Sequence, residues 1–277
     1  MSTSPVRDAN LAQLSSGKTL YVETSHPDSG RAPAIIFMHG LGSSTTFWEA
    51  VLANSQLKQR FTLIRYDFDG HGKSDFSGPG LSVLDLVEDL KDVLDHAQVD
   101  KAAGVVGHSM SGLVASTFAA QYPERLDKLV LLGAMRELSP ATKDVMAKRS
   151  EAVLAGGLSP LVPQIVNSAL SNATKETSPL SAALVRALVL PTNPEAYAAA
   201  CRALAEASDP DYARISARTL VVSGEEDYMS PKATTDFFAA NISDVAIAVM
   251  KEVGHWHAVE QPLKLRKIFE EFFLSPV

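Results

Sequence analysis

The 277-residue sequence predicts an α/β fold: a mostly parallel central sheet with helices on both faces and a helical cap insertion. Three observations carry that expectation. Six short apolar runs are bounded by turn residues, amphipathic helical patterns alternate with them, and one long stretch has no strand-like run at all.

The runs are Ala34-Ile35-Ile36-Phe37-Met38, Thr62-Leu63-Ile64-Arg65-Tyr66, Ala103-Gly104-Val105-Val106, Leu129-Val130-Leu131-Leu132, Thr219-Leu220-Val221-Val222 and Val245-Ala246-Ile247-Ala248-Val249. Each is too short for a typical helix and nearly continuously apolar, as strands buried on both faces are in a parallel sheet. Between them Leu86, Leu90, Val93, Leu94 and Ala97 share one helix face, which puts Asp85, Glu88, Asp89 and Lys91 on or near the solvent side. A second helix runs from Gly112 through Leu113, Ser116, Thr117 and Ala120. It ends at Tyr122, because Pro123 has no N–H to continue the ladder and restricts its predecessor. Such an alternation puts ligands outside the carboxyl ends of the strands.

Residues 140–209 break the rhythm. Ala, Leu, Glu, Lys and Arg dominate there, interrupted by Gly156-Gly157, Pro160, Pro163, Pro179, Pro191 and Pro194. Several short helices, inserted between the fourth and fifth runs, are well placed to cap a site. The expected organisation is one domain over residues 1–277, with a core of 1–139 and 210–277 and the cap at about 140–209.

Composition narrows the function classes. Hydrophobic residues make up 46% and charged residues 21%, enough apolar material for a sizeable core. A net charge of -7 without a Lys or Arg run argues against nucleic acid and an anionic membrane surface as partners, so a small molecule is expected. Cys201 is the sole cysteine, and residues 1–14 lack the apolar centre of a secretory signal; both point to the cytoplasm. No apolar run approaches the roughly 18 residues of a spanning helix, and Leu274-Ser275-Pro276-Val277 is no address signal.

Val105-Val106-Gly107-His108-Ser109-Met110-Ser111-Gly112 reads as a strand, a small-residue turn and a helix, the setting of a nucleophile elbow. Small residues two before and two after Ser109 let strand and helix approach. Gly107 and Ser111 meet that need, although glycine is usual where Ser111 stands. A serine hydroxyl needs an adjacent base. Of seven histidines, His26 and His96 fit surface turns or helix ends, and His39, His71 and His108 fit scaffolding. His255 and His257 lie in the loop after the last strand; His255, directly after flexible Gly254, is the candidate base and His257 its comparison.

The base in turn needs a carboxylate to hold its tautomer. Strand Leu220-Val221-Val222 leads into Ser223-Gly224-Glu225-Glu226-Asp227, and Asp227 is the candidate, with Glu225 and Glu226 as rivals and Glu137 after the earlier strand as a remote one. Acyl transfer also builds charge on a carbonyl oxygen. The glycine-flanked turn His39-Gly40-Leu41-Gly42 makes the backbone N–H groups of Leu41 and Met110 the candidate oxyanion hole. Trp48, Met135, Arg149, Tyr197 and Trp256 are the candidate substrate-facing side chains. The turn from Asp67 to Ser74 matches no phosphate-loop spacing, and no ligand cluster has metal spacing, so neither cofactor nor metal is expected.

Together His39-Gly40-Leu41-Gly42, Asp67 to Ser74, Gly107 to Gly112, Gly224 to Asp227 and Gly254-His255 with Glu260-Gln261-Pro262 resemble the α/β-hydrolase superfamily across nearly the whole chain. Arg149, Val153, Gly156 and Gly157, the run from Pro194 through Tyr197 to Leu204, and Tyr212 and Ile215 are most similar to the 3-oxoadipate enol-lactonase group. The resemblance implies a serine hydrolase of an ester or lactone acting through an acyl-Ser109 intermediate. The chain departs from that group's pattern at Met146, where tryptophan is frequent, and at Val166-Asn167-Ser168-Ala169, where an aromatic-basic cluster is. A different lactone or ester therefore stays open, with Arg149 as the cation for any substrate carboxylate. Carbon–carbon bond hydrolases, general carboxylesterases and a non-catalytic ligand receptor on the same scaffold are the competing readings.

Overall fold

The computed structural model describes residues 10–30 and 32–275. Expectations resting on residues 1–9, Pro276 and Val277 lie outside the described residues.

Eight strands form one sheet: β1 (Leu11–Gln13), β2 (Thr19–Ser25), β3 (Ala34–Met38), β4 (Thr62–Tyr66), β5 (Gly104–His108), β6 (Lys128–Leu132), β7 (Arg218–Gly224) and β8 (Val245–Met250). Their order is β1-β2-β4-β3-β5-β6-β7-β8. From β4 to β8 every pairing is parallel, whereas β1, β2 and β4 pair antiparallel. The six apolar runs are the six parallel strands. The antiparallel β1–β2 pair escapes that pattern because it forms one edge of the sheet: Glu23, Thr24 and Ser25 end β2 at least partly exposed, so apolar continuity is lost.

The helices are α1 (Glu49–Leu52), α2 (Val83–His96), α3 (Met110–Gln121), α4 (Pro140–Gly156), α5 (Val162–Ala169), α6 (Asn172–Thr177), α7 (Pro179–Val189), α8 (Pro194–Glu206), α9 (Lys232–Asn241), α10 (His257–Glu260) and α11 (Pro262–Leu274). Helices cover both sheet faces. Local signals set their ends. Ser82 accepts from the Asp85 N–H while the Asp85 carboxylate takes the Ser82 N–H, a reciprocal cap that starts α2. Asn193 caps the Glu195 and Ala196 N–H groups and Pro194 opens α8, where its missing N–H costs nothing. No helix among the described residues is long and apolar enough to cross a membrane.

The core is centred on β3 and β5, whose Ile35, Ile36, Phe37, Val105 and Val106 are fully buried. Each such side chain contributes roughly 1.5–3 kcal/mol relative to exposure. On one face Phe37 packs against Trp48 and against Phe269 of α11, with ring centroids 5.4 and 6.1 Å apart. Along α2, Leu86, Leu90, Val93 and Leu94 are buried as the periodicity predicts. Asp89 is not on the solvent side. Lys18, at the foot of β2, reaches over it with Nζ 2.9 Å from its carboxylate and 3.4 Å from Asp69. Burial pushes the Asp89 carboxyl up to about 6, against which Lys18 acts. The N-terminal hairpin, invisible to the helical pattern, covers that face.

Helices α4 to α8 lie between β6 and β7, with no strand among them. α8 packs along α4, and the Ser150 hydroxyl donates to the Ala198 carbonyl at 3.1 Å. Tyr197 of α8 sits on the turn after β3: a Cβ at Gly42 would lie 2.7 Å from its ring. The helical block is seated directly over the carboxyl end of the central strands.

Candidate active site

β5 ends at His108 and α3 begins at Met110, so Ser109 stands alone in the turn between them. Its φ of 57° is one that non-glycine residues rarely adopt, and ψ is -121°. Two close approaches hold it there. A Cβ at Gly107 would fall 2.3 Å from the Ser111 carbonyl, and one at Gly112 would fall 2.3 Å from the Ala134 Cβ. The position that must lack a side chain after the turn is therefore 112. Ser111 is accommodated because its hydroxyl is fully used: it accepts from the His108 N–H at 2.7 Å and faces the Met38 carbonyl at 2.9 Å.

His255 lies in the loop after β8 and Asp227 in the loop after β7. The Ser109 hydroxyl is 2.8 Å from His255 Nε2, and His255 Nδ1 is 2.9 and 3.0 Å from the two Asp227 oxygens. Since a carboxylate only accepts, Nδ1 carries the proton and Nε2 presents its lone pair to Ser109. Asp227 and His255 are 3% and 5% exposed, which removes water as a competitor for these bonds. Asp227 Oδ1 also accepts from the Met229 and Ser230 N–H groups, each at 2.9 Å. Burial opposes its ionisation, but His255, with smaller help from His257 and the Ser230 N–H, outweighs it and holds the carboxyl below the ordinary carboxylate range.

The rival acids point elsewhere. Glu226 accepts from the Asn172 N–H at 2.9 Å, Glu225 from the Glu252 N–H at 3.2 Å, and Glu137 pairs with Lys143. His257 is likewise not at Ser109: its Nδ1–H donates to the His255 carbonyl at 2.8 Å. His108 Nε2–H donates to the same carbonyl at 2.8 Å, and His39 ties the turns after β3 and β4 by accepting the Phe68 N–H.

Leu41 lines the pocket beside Ser109, and Met110 is the first residue of α3, so its N–H has no place in the helical ladder. Neither N–H donates to another group among the described residues. The pocket has a volume of about 280 Å³. Met135, Arg149, Tyr197 and Trp256 all line it. Trp48 does not: it is fully buried beneath the turn after β3, between Phe37, Phe47 and Phe269. An indole next to a glycine turn reads as accessible in sequence, yet here its large apolar surface completes the core. Met146, where the chain departs from the group it resembles, also lines the pocket, as do Ile165 and Met229, which carry no sequence signal beyond being apolar.

Among the described residues, Arg149 is the only lysine, arginine or carboxylate side chain on the pocket wall. Its charge acts on the Tyr197 hydroxyl, opposing the upward push of burial on that group, and no carboxylate pairs with it among the described residues.

The buried imidazoles make a testable pH dependence. Burial pushes His39, His71 and His257 each down to about 4, so all three are neutral in the native protein at pH 7. The unfolded chain takes up their protons near the ordinary value of 6.5. Their contribution to stability is thus complete above pH 6.5 and is lost as pH falls toward 4, at up to about 1.4 kcal/mol per pH unit per histidine. Urea unfolding should show a falling midpoint from pH 7 to pH 5. A level midpoint over that range would mean that these rings are protonated in the folded protein.

A family model for the alpha/beta hydrolase fold matches residues 33–262. The 3-oxoadipate enol-lactonase 1 of Acinetobacter baylyi is 34% identical over 146 residues, 53% of this chain and 52% of that protein. An uncharacterized protein of Mycobacterium tuberculosis is 36% identical over 141 residues, 51% of this chain and 39% of its own. The chain spans about half the length, or less, of these curated relatives. Among solved structures, a thermophilic esterase from Thermogutta terrifontis with malate bound superposes with a TM-score of 0.88 at 25% identity, covering 96% of this chain and 98% of that one. An enol-lactonase from Burkholderia xenovorans LB400 superposes with a TM-score of 0.89 at 24% identity, covering 96% and 100%, a likeness of fold alone.

Proposed function

We propose a function on one premise: the chain belongs to the alpha/beta hydrolase fold family. The reading is a serine hydrolase that cleaves an ester or lactone through an acyl-Ser109 intermediate. The observation that carries it is the continuous relay from Ser109 Oγ through His255 to Asp227, with every bond between 2.8 and 3.0 Å.

In the first half, His255 Nε2 takes the Ser109 proton as Oγ attacks the carbonyl carbon. The oxyanion that forms is met by the Leu41 and Met110 N–H groups. Collapse of the tetrahedral adduct expels the alcohol oxygen, which takes the proton back from His255 and, in a lactone, stays tethered to the acyl chain. In the second half His255 removes a proton from water, whose oxygen attacks the acyl-Ser109 ester; collapse expels Ser109 Oγ, which takes that proton back from His255, and releases the acid. Asp227 holds Nδ1–H and stabilises the imidazolium at each stage. Helices α4 to α8 form the cap of a single domain, bringing Arg149 and Tyr197 to the substrate. The lone, buried Cys201 fits a reducing cytoplasm.

The pocket chemistry favours a substrate with an anionic group, for which Arg149 is the counter-ion. The test is a hydrolysis panel of 3-oxoadipate enol-lactone, neutral lactones and short p-nitrophenyl esters. No turnover of any member by folded protein would remove the reading. Arg149→Met should raise KM for carboxylate-bearing substrates about ten- to a hundredfold, the worth of one charged hydrogen bond, and leave neutral esters within about twofold. Equal losses on both classes would deny Arg149 a role in charge recognition.

A further inference from the structure

The peptide groups around His255 are held from three sides. The His255 N–H donates to the Ala169 carbonyl, at the end of α5, at 2.7 Å. Its own carbonyl accepts from both His108 and His257. The preceding N–H, that of Gly254, donates to Glu260 Oε1 at 2.9 Å, and the other Glu260 oxygen accepts from the Ser171 N–H at 2.8 Å. Ser171 opens α6, so one carboxylate bridges the cap to the loop that carries His255. The two segments touch: a Cβ at Gly254 would lie 2.7 Å from both the Ala169 oxygen and the Ser171 nitrogen.

We propose that Glu260 is a positioning residue, which sets the His255 imidazole on Ser109 by locking its loop to the cap. The inference rests on the reading of His255 as the base. The single turn α10 supplies two of the anchors, His257 to the carbonyl of His255 and Glu260 to the N–H of Gly254 just before it. Only a carboxylate fits the second task. Both partners are N–H donors, and a group with two acceptor oxygens and no hydrogen satisfies both at once. An amide at this position would turn one NH2 group toward an N–H. Glu226 provides the contrast: its backbone N–H holds the Val253 carbonyl, which a side-chain substitution leaves in place, while its carboxylate fastens the cap through the Asn172 N–H and makes no bond to the loop of His255 among the described residues.

The test compares Glu260→Gln, Glu260→Ala and Glu226→Gln in the full chain. For each, kcat and KM are measured on the best substrate of the panel, together with the rate of labelling by a fluorophosphonate, which reads Ser109 activation without turnover. Glu260→Gln should lose about ten- to a hundredfold in kcat and in labelling rate with KM within about twofold, the pattern of a misplaced catalytic group. Glu226→Gln should keep all three within about twofold. Being nearly isosteric, Glu260→Gln carries the test if the alanine variant does not fold. Wild-type kcat in Glu260→Gln overturns the inference, and so do equal losses in Glu260→Gln and Glu226→Gln, because loosening the cap would then suffice. If Ser109→Ala and His255→Ala keep turnover, the reading of the whole site fails; if both abolish it and Glu260→Gln is unimpaired, only the role of Glu260 falls.

Discussion

Ser109→Ala is expected to lower kcat by about 10⁶-fold while the protein stays folded, because without the oxygen there is no nucleophile and no acyl-enzyme. The fold should survive. The Ser109 hydroxyl makes one partly exposed hydrogen bond, to His255, worth about 1 kcal/mol, and alanine meets the same backbone strain at φ 57° that serine does. Gly107 and Gly112, which permit the turn, are untouched. Circular dichroism and the thermal midpoint should stay near wild type while turnover and fluorophosphonate labelling both vanish. A folded variant that kept more than about one-hundredth of the rate would place the nucleophile elsewhere, since triad serines do not leave residues of that size.

Asp227→Asn is expected to lower kcat by about 10⁴-fold, with KM little changed. The amide oxygen can keep the Met229 and Ser230 N–H bonds made by Oδ1, so the side chain stays in place. Its NH2 then faces His255 Nδ1 and favours the tautomer with the proton on Nε2, which cannot accept from Ser109. Glu225→Gln and Glu226→Gln should each stay within about twofold, since their carboxylates serve backbone N–H groups away from the imidazole. The comparison is decisive in either direction. If the Asp227→Asn enzyme turned over within tenfold of wild type and one of the glutamine variants did not, the acid would have been assigned to the wrong side chain.

Five of the six parallel strands were legible because burial leaves a nearly unbroken apolar run, whereas β8, at the other edge of the sheet, is apolar in sequence yet largely exposed. The turn carrying Ser109 was legible because close approach demands small residues at fixed offsets, although sequence put the demand on 111 where contact puts it on 112. The choice of His255 over His257 rested on the adjoining Gly254. The imidazole of His255 does face Ser109, but Gly254 serves mainly to admit the cap backbone. Trp48 and Asp89 were misread for one reason. Each was judged by its own neighbours in sequence, while its environment comes from segments far along the chain: Phe269 in α11 for Trp48, and Lys18 in the turn before β2 for Asp89.

What the sequence by itself determined are the features set by short-range rules: strand-forming apolar runs, helix caps, a constricted turn, and a serine, a histidine and an aspartate at the ends of three strands. Only the tertiary structure decided which of three neighbouring acids meets the imidazole, which aromatic side chains reach the pocket, and that Glu260 fastens the cap to the His255 loop. Periodicity and turn chemistry act over a few residues and are written locally. A hydrogen bond between residues 171 and 260 depends on how the cap and the sheet settle together, and no local pattern encodes that distance.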